Sequence, residues 1–220
     1  MIEEILPANV VASDAFDDPA EARLFPEEEA AVGQAVEKRR KEFTTARFCA
    51  RRAMTALGHP PTVVPSGQRG EPQWPSGIVG SITHCTGYRA AVLGQETKIT
   101  TIGIDAEPND ALSNGVLDAV SLPAERAWVR ELSRTHPQVS WDRLLFSAKE
   151  SVYKAWFPIA KRWLDFEDAL ITADPRRGQF SARLLVTGPR MNGRALTGFT
   201  GRWMVRDGLI LTAIVVSSTS

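Results

Sequence analysis

A helical pattern followed by strand-like segments occurs twice along this chain, and this order limits its fold more than any other feature. Apolar residues recur at three- and four-residue steps from 27 to 57 and predict a first long helix. Two further helices are predicted near 121–135 and 140–157. Strands are predicted at 78–82, 88–94, 99–105, 168–173, 179–187, 198–206 and 209–217. This order predicts an α+β fold of two similar α/β halves, each packing a long helix on a small sheet.

A polar connection separates the two groups of elements. It is the segment 108–115, PNDALSNG, which is rich in turn-forming residues. We therefore predict an N-terminal half of residues 1–107 and a C-terminal half of residues 108–220. Within the second half, Asp207-Gly208 is a strong signal for a hairpin between the last two strands.

Composition limits the classes of protein to which the chain can belong. Its 220 residues carry 26 basic and 26 acidic side chains, so no overall charge draws it to nucleic acid or anionic lipid. No apolar run approaches the roughly 18 residues of a membrane span, and the acidic N-terminus does not resemble a signal peptide. Cys49 and Cys85 are too few for a disulfide framework. We expect a cytoplasmic protein with reduced thiols.

Two acidic residues follow an apolar run at the end of a predicted strand. In an extended chain, Asp105 and Glu107 lie on the same side, roughly 6.5–7 Å apart, while Ile102 and Ile104 lie on the other. Two carboxylates placed in this way suit a hard divalent cation. The simpler interpretation is a pair of solvated acids where a strand becomes a loop.

A second charged group lies on the predicted helix at 140–157. Phe146, Glu150 and Lys154 follow one i, i+4 ridge, and Lys149 stands beside Glu150. The neighbouring stripe is predicted to be buried and consists of Leu145, Ala148, Val152 and Trp156. Glu150 and Lys154 could form no more than a surface ion pair, which contributes only a few tenths of a kcal/mol.

Basic residues on the first helix and one histidine complete the set of candidates. Arg39 and Arg47 are eight residues apart, but Arg40 shares a face with Arg47 slightly better, so geometry does not choose between Arg39 and Arg40. The simpler interpretation of these basic residues is a solvated helix face, and the alternative is a phosphate clamp, for which the planar guanidinium is well suited. His84 follows a strand. Its neighbour Cys85 points the other way in an extended chain and is interpreted as an ordinary thiol.

Taken together, these segments resemble the 4′-phosphopantetheinyl transferases of the Sfp type, closest to the mycobacterial and enterobactin-synthetase branch. The matching stretches are KRRKEFTTARFCARRAM (38–54), GEPQWPSGIVGSITHCTGYRAAV (70–92), IGIDAEP (102–108) and FSAKESVYKAW (146–156). They span most of the chain in the family's order. The resemblance implies two halves in a pseudo-two-fold arrangement, with the site in the cleft between them.

The resemblance also implies an activity and roles for particular residues. It implies Mg²⁺- or Mn²⁺-dependent transfer of the phosphopantetheine arm of coenzyme A to a serine of a carrier protein, releasing 3′,5′-ADP. The implied metal ligands are Asp105, Glu107 and Glu150. The implied catalytic residues are Asp105, Glu150 and Lys154. The residues implied to bind coenzyme A are Arg39, Arg47, Thr83, His84, Lys149 and Lys154. The resemblance favours Arg39 over Arg40.

One departure from the family pattern concerns the phosphate contacts. Many relatives carry Gly-Lys-Pro where this chain has Gly70-Glu71-Pro72, and Arg69 is the residue that could substitute for the lysine. The proton acceptor for the attacking serine stays open between Glu150 and a hydroxide on the metal.

The resemblance implies apo acyl, peptidyl or aryl carrier proteins as partners, with no nucleic acid and no membrane, and the two-half architecture predicts a monomer. Two other classes stay open. One is a non-catalytic adaptor that binds coenzyme A or a carrier protein. The other is a nucleic-acid-binding module that uses the basic residues of 38–52, which zero net charge disfavours.

Overall fold

The computed structural model describes residues 1–191 and 193–218 of the chain. Its α-helices are α1 (Pro26–Glu29), α2 (Glu37–Ala56), α3 (Val116–Val120), α4 (Pro123–Thr135) and α5 (Trp141–Ala160). Its strands are β1 (Val10–Ala15), β2 (Ile78–Cys85), β3 (Tyr88–Gln95), β4 (Ile99–Pro108), β5 (Ala169–Asp174), β6 (Gln179–Leu184), β7 (Arg190–Met191), β8 (Arg194–Ala195), β9 (Gly198–Arg206) and β10 (Leu209–Ser217). The α+β class is therefore confirmed.

Two antiparallel sheets carry the fold, and they differ in size. The first has three strands in the order β1-β3-β2, and the second has five in the order β4-β10-β9-β6-β5. The predicted hairpin is confirmed, because Asp207 and Gly208 both adopt positive φ between β9 and β10. Each sheet is covered by a helix of 20 residues, α2 or α5.

Helix α2 packs on the three-stranded sheet through small side chains. Cys49, Ala50 and Ala53 are fully buried against Ala91 and Leu93 of β3. Small residues at this contact let the helix lie close to the strands, and each buried apolar group contributes to stability in proportion to the area removed from water.

The first helix is shorter than the sequence predicts. It begins at Glu37 rather than near residue 27, and the preceding segment forms the short α1 and one 3₁₀ turn. The reason is the carboxylate of Glu28, which is 1% exposed, pairs with Arg51 and accepts a hydrogen bond from the backbone of Val64. Apolar spacing alone did not reveal this inward-facing acid.

Helix α5 approaches β4 and β10 closely enough to require a glycine. A Cβ on Gly103 would lie 2.0 Å from the carbonyl oxygen of Ser151, so any side chain there would push the helix away. Ser151 also bonds to Thr212 of β10, with 2.6 Å between the hydroxyl oxygens. The predicted buried stripe of α5 is confirmed by the burial of Leu145, Ala148, Val152 and Trp156. These contacts fix the distance between α5 and β4.

Strand β4 belongs to the sheet of the C-terminal half, which corrects the predicted boundary at 107/108. It pairs with β10 along most of its length, and Asp105 lies opposite Thr212. The break between the two sheets therefore falls between β3 and β4, at residues 96–98. Local sequence could not reveal this, because pairing partners about 100 residues apart are set by tertiary packing.

No helix in residues 1–191 and 193–218 has both the length and the apolar character that a membrane span requires.

Candidate active site

A cavity of about 920 Å³ lies between the two halves. Its walls come from α2, the loop at 65–72, the end of β2, strand β4 and helix α5. This volume is at the upper end of the range for small-molecule sites. The cavity brings together nine of the residues selected from the sequence: Arg39, Arg47, Arg69, Thr83, His84, Asp105, Glu107, Glu150 and Lys154.

Asp105, Glu107 and Glu150 form one side of the cavity, called here the acidic wall. Asp105 is only 5% exposed, so it lies deeper than a solvated strand-end acid would. Its Oδ1 accepts hydrogen bonds from Lys154 Nζ at 2.7 Å and from Thr83 Oγ1 at 3.2 Å. Its Oδ2 is buried without a partner among the described residues. An unpartnered buried carboxylate oxygen carries a desolvation cost that a bound cation would remove.

Glu107 has a partner that sequence reasoning missed. Arg143 donates from Nη1 to Oε2 of Glu107 at 2.9 Å and is itself fixed by the carbonyl oxygens of Asp110 and Ala111. Burial and the charge of Asp105 raise the pKa of Glu107, and Arg143 opposes them. A signal was present, because Arg143 precedes Glu150 by seven residues, which is two helical turns on the same face.

Glu150 faces the cavity from α5. Burial raises the pKa of its carboxyl group, the charges of Asp105 and Glu107 act in the same direction, and Lys154 opposes them. The predicted ridge of Phe146, Glu150 and Lys154 does line the cavity. A carboxylate whose proton affinity is raised by its neighbours is a suitable proton acceptor.

The acidic wall fits a divalent cation only in part. In the described part of the chain, no group of three or more His, Cys, Asp or Glu side chains is arranged to hold a metal by protein ligands alone. Mg²⁺ rarely needs such a cage, because it usually takes one or two carboxylates and completes its sphere with water and substrate phosphates. The unpartnered Oδ2 of Asp105 and the mutual repulsion of the three acids suit that arrangement.

Arg39, Arg47 and His84 form a second group of cavity-lining residues, called here the basic wall. Arg39 donates to Nε2 of His84, so this nitrogen is the acceptor and Nδ1 carries the proton of the neutral ring. Nδ1 lies 3.5 Å from the carboxylate of Glu42. Burial lowers the pKa of His84 to about 4, and the charges of Arg39, Lys154, Arg89 and Arg47 add to the effect. The ring is therefore neutral at pH 7.

Arg47 is held firmly within the basic wall. It is 4% exposed, donates to the carbonyl oxygen of Val64 at 2.8 Å and to the hydroxyl of Ser66 at 3.1 Å, and lies over the ring of Phe43. Burial lowers its pKa to about 10, so it stays charged at neutral pH.

The structure separates Arg39 from Arg40. Arg39 lines the cavity and contacts His84, whereas Arg40 pairs with Glu29 outside it.

The loop at 65–72 closes one end of the cavity. Arg69 lies over the exposed ring of Trp163, with 5.4 Å between Cζ and the ring centroid, and so joins the two halves. Glu71 accepts hydrogen bonds from the backbone nitrogen of Arg69 and from the side chain of Gln73. The acid that departs from the family pattern therefore shapes the loop. Tyr153 lines the cavity beside them, and its buried hydroxyl has no partner among the described residues.

Lys149 does not reach the cavity, which corrects its expected role as a phosphate ligand. Its side chain is 3% exposed and lies 2.8 Å from the fully buried carboxylate of Glu125. It also donates to the carbonyl oxygens of Phe166 and Ala169. The physical reason is helical geometry, since residues five apart, such as Lys149 and Lys154, lie about 140° apart around the axis. Lys149 therefore joins α5 to α4 and β5.

Comparison with known proteins gives matches over nearly the whole chain. A family model described as the 4′-phosphopantetheinyl transferase N-terminal domain matches residues 27–94. A second, described as the 4′-phosphopantetheinyl transferase superfamily, matches residues 101–197.

Individual relatives give the same result. The 4′-phosphopantetheinyl transferase Svp of Streptomyces mobaraensis is 52% identical over 222 residues, covering 99% of this chain and 90% of its own. The 4′-phosphopantetheinyl transferase PptT of Mycobacterium tuberculosis is 49% identical over 225 residues, covering 98% of each chain. Enterobactin synthase component D of Salmonella typhi is more distant, with 32% identity over 54% of this chain and 49% of its own.

Proposed function

The chain belongs to the 4′-phosphopantetheinyl transferases, and from this premise we propose the reaction that its cavity performs. It transfers the 4′-phosphopantetheine arm of coenzyme A to a serine hydroxyl of an apo carrier protein and releases 3′,5′-ADP. The observation that carries the proposal is one cavity lined by both the acidic wall and the basic wall. A pyrophosphate ester bound with a divalent cation matches both charges.

We assign the basic wall to the phosphate groups of coenzyme A. Arg39 and Arg47 offer charged donors, and a guanidinium can bind two phosphate oxygens at once. His84 lines the same cavity, and its ring is close enough to Arg39, Arg47 and Lys154 for their charges to lower its pKa. Arg69 is positioned by Trp163 at the mouth of the same cavity and adds a further cation.

We assign the acidic wall to a divalent cation, Mg²⁺ or Mn²⁺. Asp105, Glu107 and Glu150 are the residues that would hold it. A cation held there would supply positive charge that offsets the negative charge developing on the leaving group. The unpartnered Oδ2 of Asp105 supports this assignment.

The remaining residues supply the proton transfer and further charge. The serine oxygen forms a bond to the phosphorus that carries the pantetheine arm, and the bond from this phosphorus to the oxygen of 3′,5′-ADP breaks. The serine proton passes to the carboxylate of Glu150, which faces the same cavity. Lys154 lies 2.7 Å from Asp105 and within the cavity, where its ammonium stabilises the transferring group.

The proposal includes a class of partner and a setting for the reaction. The acceptors are apo acyl, peptidyl or aryl carrier proteins, and the chain acts as a monomer because both walls come from one polypeptide. We place the reaction in the cytoplasm, where Cys49 and Cys85, both free thiols, would stay reduced.

One experiment tests the reaction directly. The protein is incubated with an apo carrier protein, coenzyme A and Mg²⁺, and the carrier is weighed by mass spectrometry. We expect the carrier to gain the mass of one phosphopantetheine and 3′,5′-ADP to appear in equal amount. A carrier with its acceptor serine changed to alanine is the matched control, and chelation of the metal should stop the reaction.

Two results would contradict the proposal. Tight coenzyme A binding without any mass gain on acyl, peptidyl and aryl carriers would indicate a non-catalytic adaptor. A mass gain on the serine-to-alanine carrier would place the group on another residue.

A further inference from the structure

Two hydroxyl groups on β2 bind the edge of β4 that faces away from β10. Ser81 Oγ accepts a hydrogen bond from the backbone nitrogen of Ile104 at 3.1 Å, and Thr83 Oγ1 accepts one from Ala106 at 3.0 Å. β2 and β4 are not paired in either sheet, so these side chains satisfy backbone groups that a neighbouring strand would otherwise satisfy. Ser81 and Thr83 therefore join the two halves in the same way.

Thr83 differs from Ser81 by one further contact. Its hydroxyl donates to Oδ1 of Asp105 at 3.2 Å. A hydroxyl has a single proton, and once it is given to Asp105 the group can only accept further hydrogen bonds. Phosphate oxygens at neutral pH need donors. The Thr83 side chain, 2% exposed, is therefore unsuited to the phosphate contact that the family resemblance implies for it.

The contact has a consequence for the orientation of Asp105. Thr83 and Lys154 both donate to Oδ1, so they fix the rotation of the carboxylate about its last bond. Oδ2 is left buried and without a partner among the described residues, at the wall of the cavity. Hydrogen-bond donors that contact a ligating carboxylate in this way hold it in place.

We propose that Thr83 is a positioning residue that orients Asp105 toward a divalent cation, rather than a ligand of coenzyme A. This inference rests on the proposed function, because it assigns Asp105 to the metal. It predicts that loss of the Thr83 hydroxyl weakens metal binding selectively, whereas loss of the Ser81 hydroxyl weakens only the junction between the halves.

The test compares three variants of the full chain by calorimetric titration of Mn²⁺ in the presence of coenzyme A and without carrier protein. Thr83→Val removes the hydroxyl and keeps the shape, Thr83→Ser restores the hydroxyl, and Ser81→Ala is the matched control. We expect Thr83→Val to weaken Mn²⁺ binding about tenfold, the lower end of the usual loss when a hydrogen-bond partner of a metal ligand is removed. Thr83→Ser and Ser81→Ala should stay within about twofold of the original protein, well below that effect.

Two further measurements separate positioning from structure and from coenzyme A binding. The midpoint temperature of thermal unfolding should fall to a similar extent in Thr83→Val and Ser81→Ala, because each change leaves one backbone N–H of β4 unsatisfied. Coenzyme A affinity without metal should be unchanged in Thr83→Val. An equal loss of Mn²⁺ affinity in Ser81→Ala would overturn the proposal, and so would weaker coenzyme A binding in Thr83→Val with unchanged Mn²⁺ binding.

The outcome is independent of the transfer assay. If the original protein fails to modify any carrier, the proposed function is wrong, and the Mn²⁺ titrations still decide whether Thr83 acts on the metal site. If the original protein transfers the group but binds no Mn²⁺ with coenzyme A, the inference about Thr83 is wrong and the reaction stands.

Discussion

The acidic and basic walls of the cavity differ in the groups that contact their charged side chains. On the acidic wall, protein cations compensate two of the acids, since Asp105 pairs with Lys154 and Glu107 pairs with Arg143. On the basic wall, Arg39 contacts a neutral His84, and the charge of Arg47 is met by carbonyl, hydroxyl and ring groups. Two of the three acids on the acidic wall are therefore paired with protein cations, whereas among the described residues neither Arg39 nor Arg47 forms a salt bridge with a carboxylate.

The perturbed pKa values express the same difference. On the acidic wall the pKa values of Glu107 and Glu150 are raised, because burial and neighbouring acids disfavour further negative charge. On the basic wall the pKa of His84 is lowered, because burial and neighbouring cations disfavour further positive charge. On each wall, burial and the neighbouring charges therefore disfavour any further charge of the same sign. The cavity is therefore preorganised for a ligand that brings anionic groups to the basic wall and a cation to the acidic wall.

The largest expected effect comes from removing the charge of the acidic wall at its centre. Asp105→Asn should lower the rate of transfer about a thousandfold, because one preorganised electrostatic contact is lost. The fold should be retained, since the amide keeps the shape of the side chain. Rates are measured by mass spectrometry of the carrier, and folding is measured by circular dichroism.

The matched control is Asp174→Asn, the same change on β5 of the same sheet, outside the cavity. An equal loss of rate in both variants would show that the acidic wall has no special role.

The second effect separates catalysis from stability. Glu150→Gln should lower the transfer rate about a hundredfold, the contribution of a typical proton acceptor. It should also raise the unfolding midpoint at pH 7 in the absence of metal. The physical reason is that the pKa of Glu150 is raised in the folded state, so its ionisation disfavours folding.

The pH dependence gives the sign of this effect. Stability of the original protein should fall, relative to Glu150→Gln, as pH rises above the ordinary glutamate pKa of 4.5. Below that pH the carboxyl group is protonated in both the folded and the unfolded state, so the two proteins should have the same unfolding midpoint. A variant that is less stable than the original protein at pH 7 would contradict the raised pKa.

The third effect tests the basic wall. Arg39→Ala should weaken coenzyme A binding about tenfold, the usual loss for a hydrogen bond to a charged group. Arg40→Ala, one position along the same helix, is the matched control and should leave affinity within about twofold, because its guanidinium pairs with Glu29. Isothermal calorimetry measures both. The reverse order of effects would exchange the roles of the two arginines.

The smallest expected effect is a change in the pKa of His84. The pKa of His84, about 4 in the free protein, should rise when 3′,5′-ADP binds, because phosphate charge compensates the surrounding cations. NMR of labelled histidine follows the ring, and His59 and His136, which do not line the cavity, report any general effect of the ligand. An unchanged His84 titration with saturating ligand would remove it from the phosphate site.

His84 also makes a prediction for acid stability. Its folded-state pKa lies below the ordinary value of 6.5, so it stabilises the fold above that pH, and the contribution is lost as pH falls from 6.5 toward 4. His84→Gln should therefore lose less stability than the original protein across this range.

Most of the site was predictable from the sequence, because its residues lie at fixed spacings on regular elements. Asp105 and Glu107 share one side of a strand, and Glu150 and Lys154 share one ridge of a helix. Lys149 was misplaced by the family resemblance, although its angle on α5 already excluded it from that ridge. Its partner Glu125 lies in α4, and no local pattern predicts a pairing between two helices.

In the fold, too, local sequence patterns predict some elements, whereas others depend on tertiary contacts. Turn chemistry located the hairpin at Asp207-Gly208, and periodicity located α5. The strand β1 was missed, because its sequence VVASDA (10–15) mixes polar and apolar residues without clear alternation. The pairing of β4 with β10 and the hydroxyl contacts from Ser81 and Thr83 depend on tertiary packing, which periodicity does not contain.

The pairing of β4 with β10 also orders the events of folding. These strands are separated by about 100 residues, and contacts of such high sequence separation form late because the loop between them must close first. During synthesis, the strand that carries Asp105 leaves the ribosome long before its partner does. Helix α2 and the three-stranded sheet have all their residues by position 95. We therefore expect the basic wall to form early and the acidic wall to form last, so that activity appears only when the whole chain has folded.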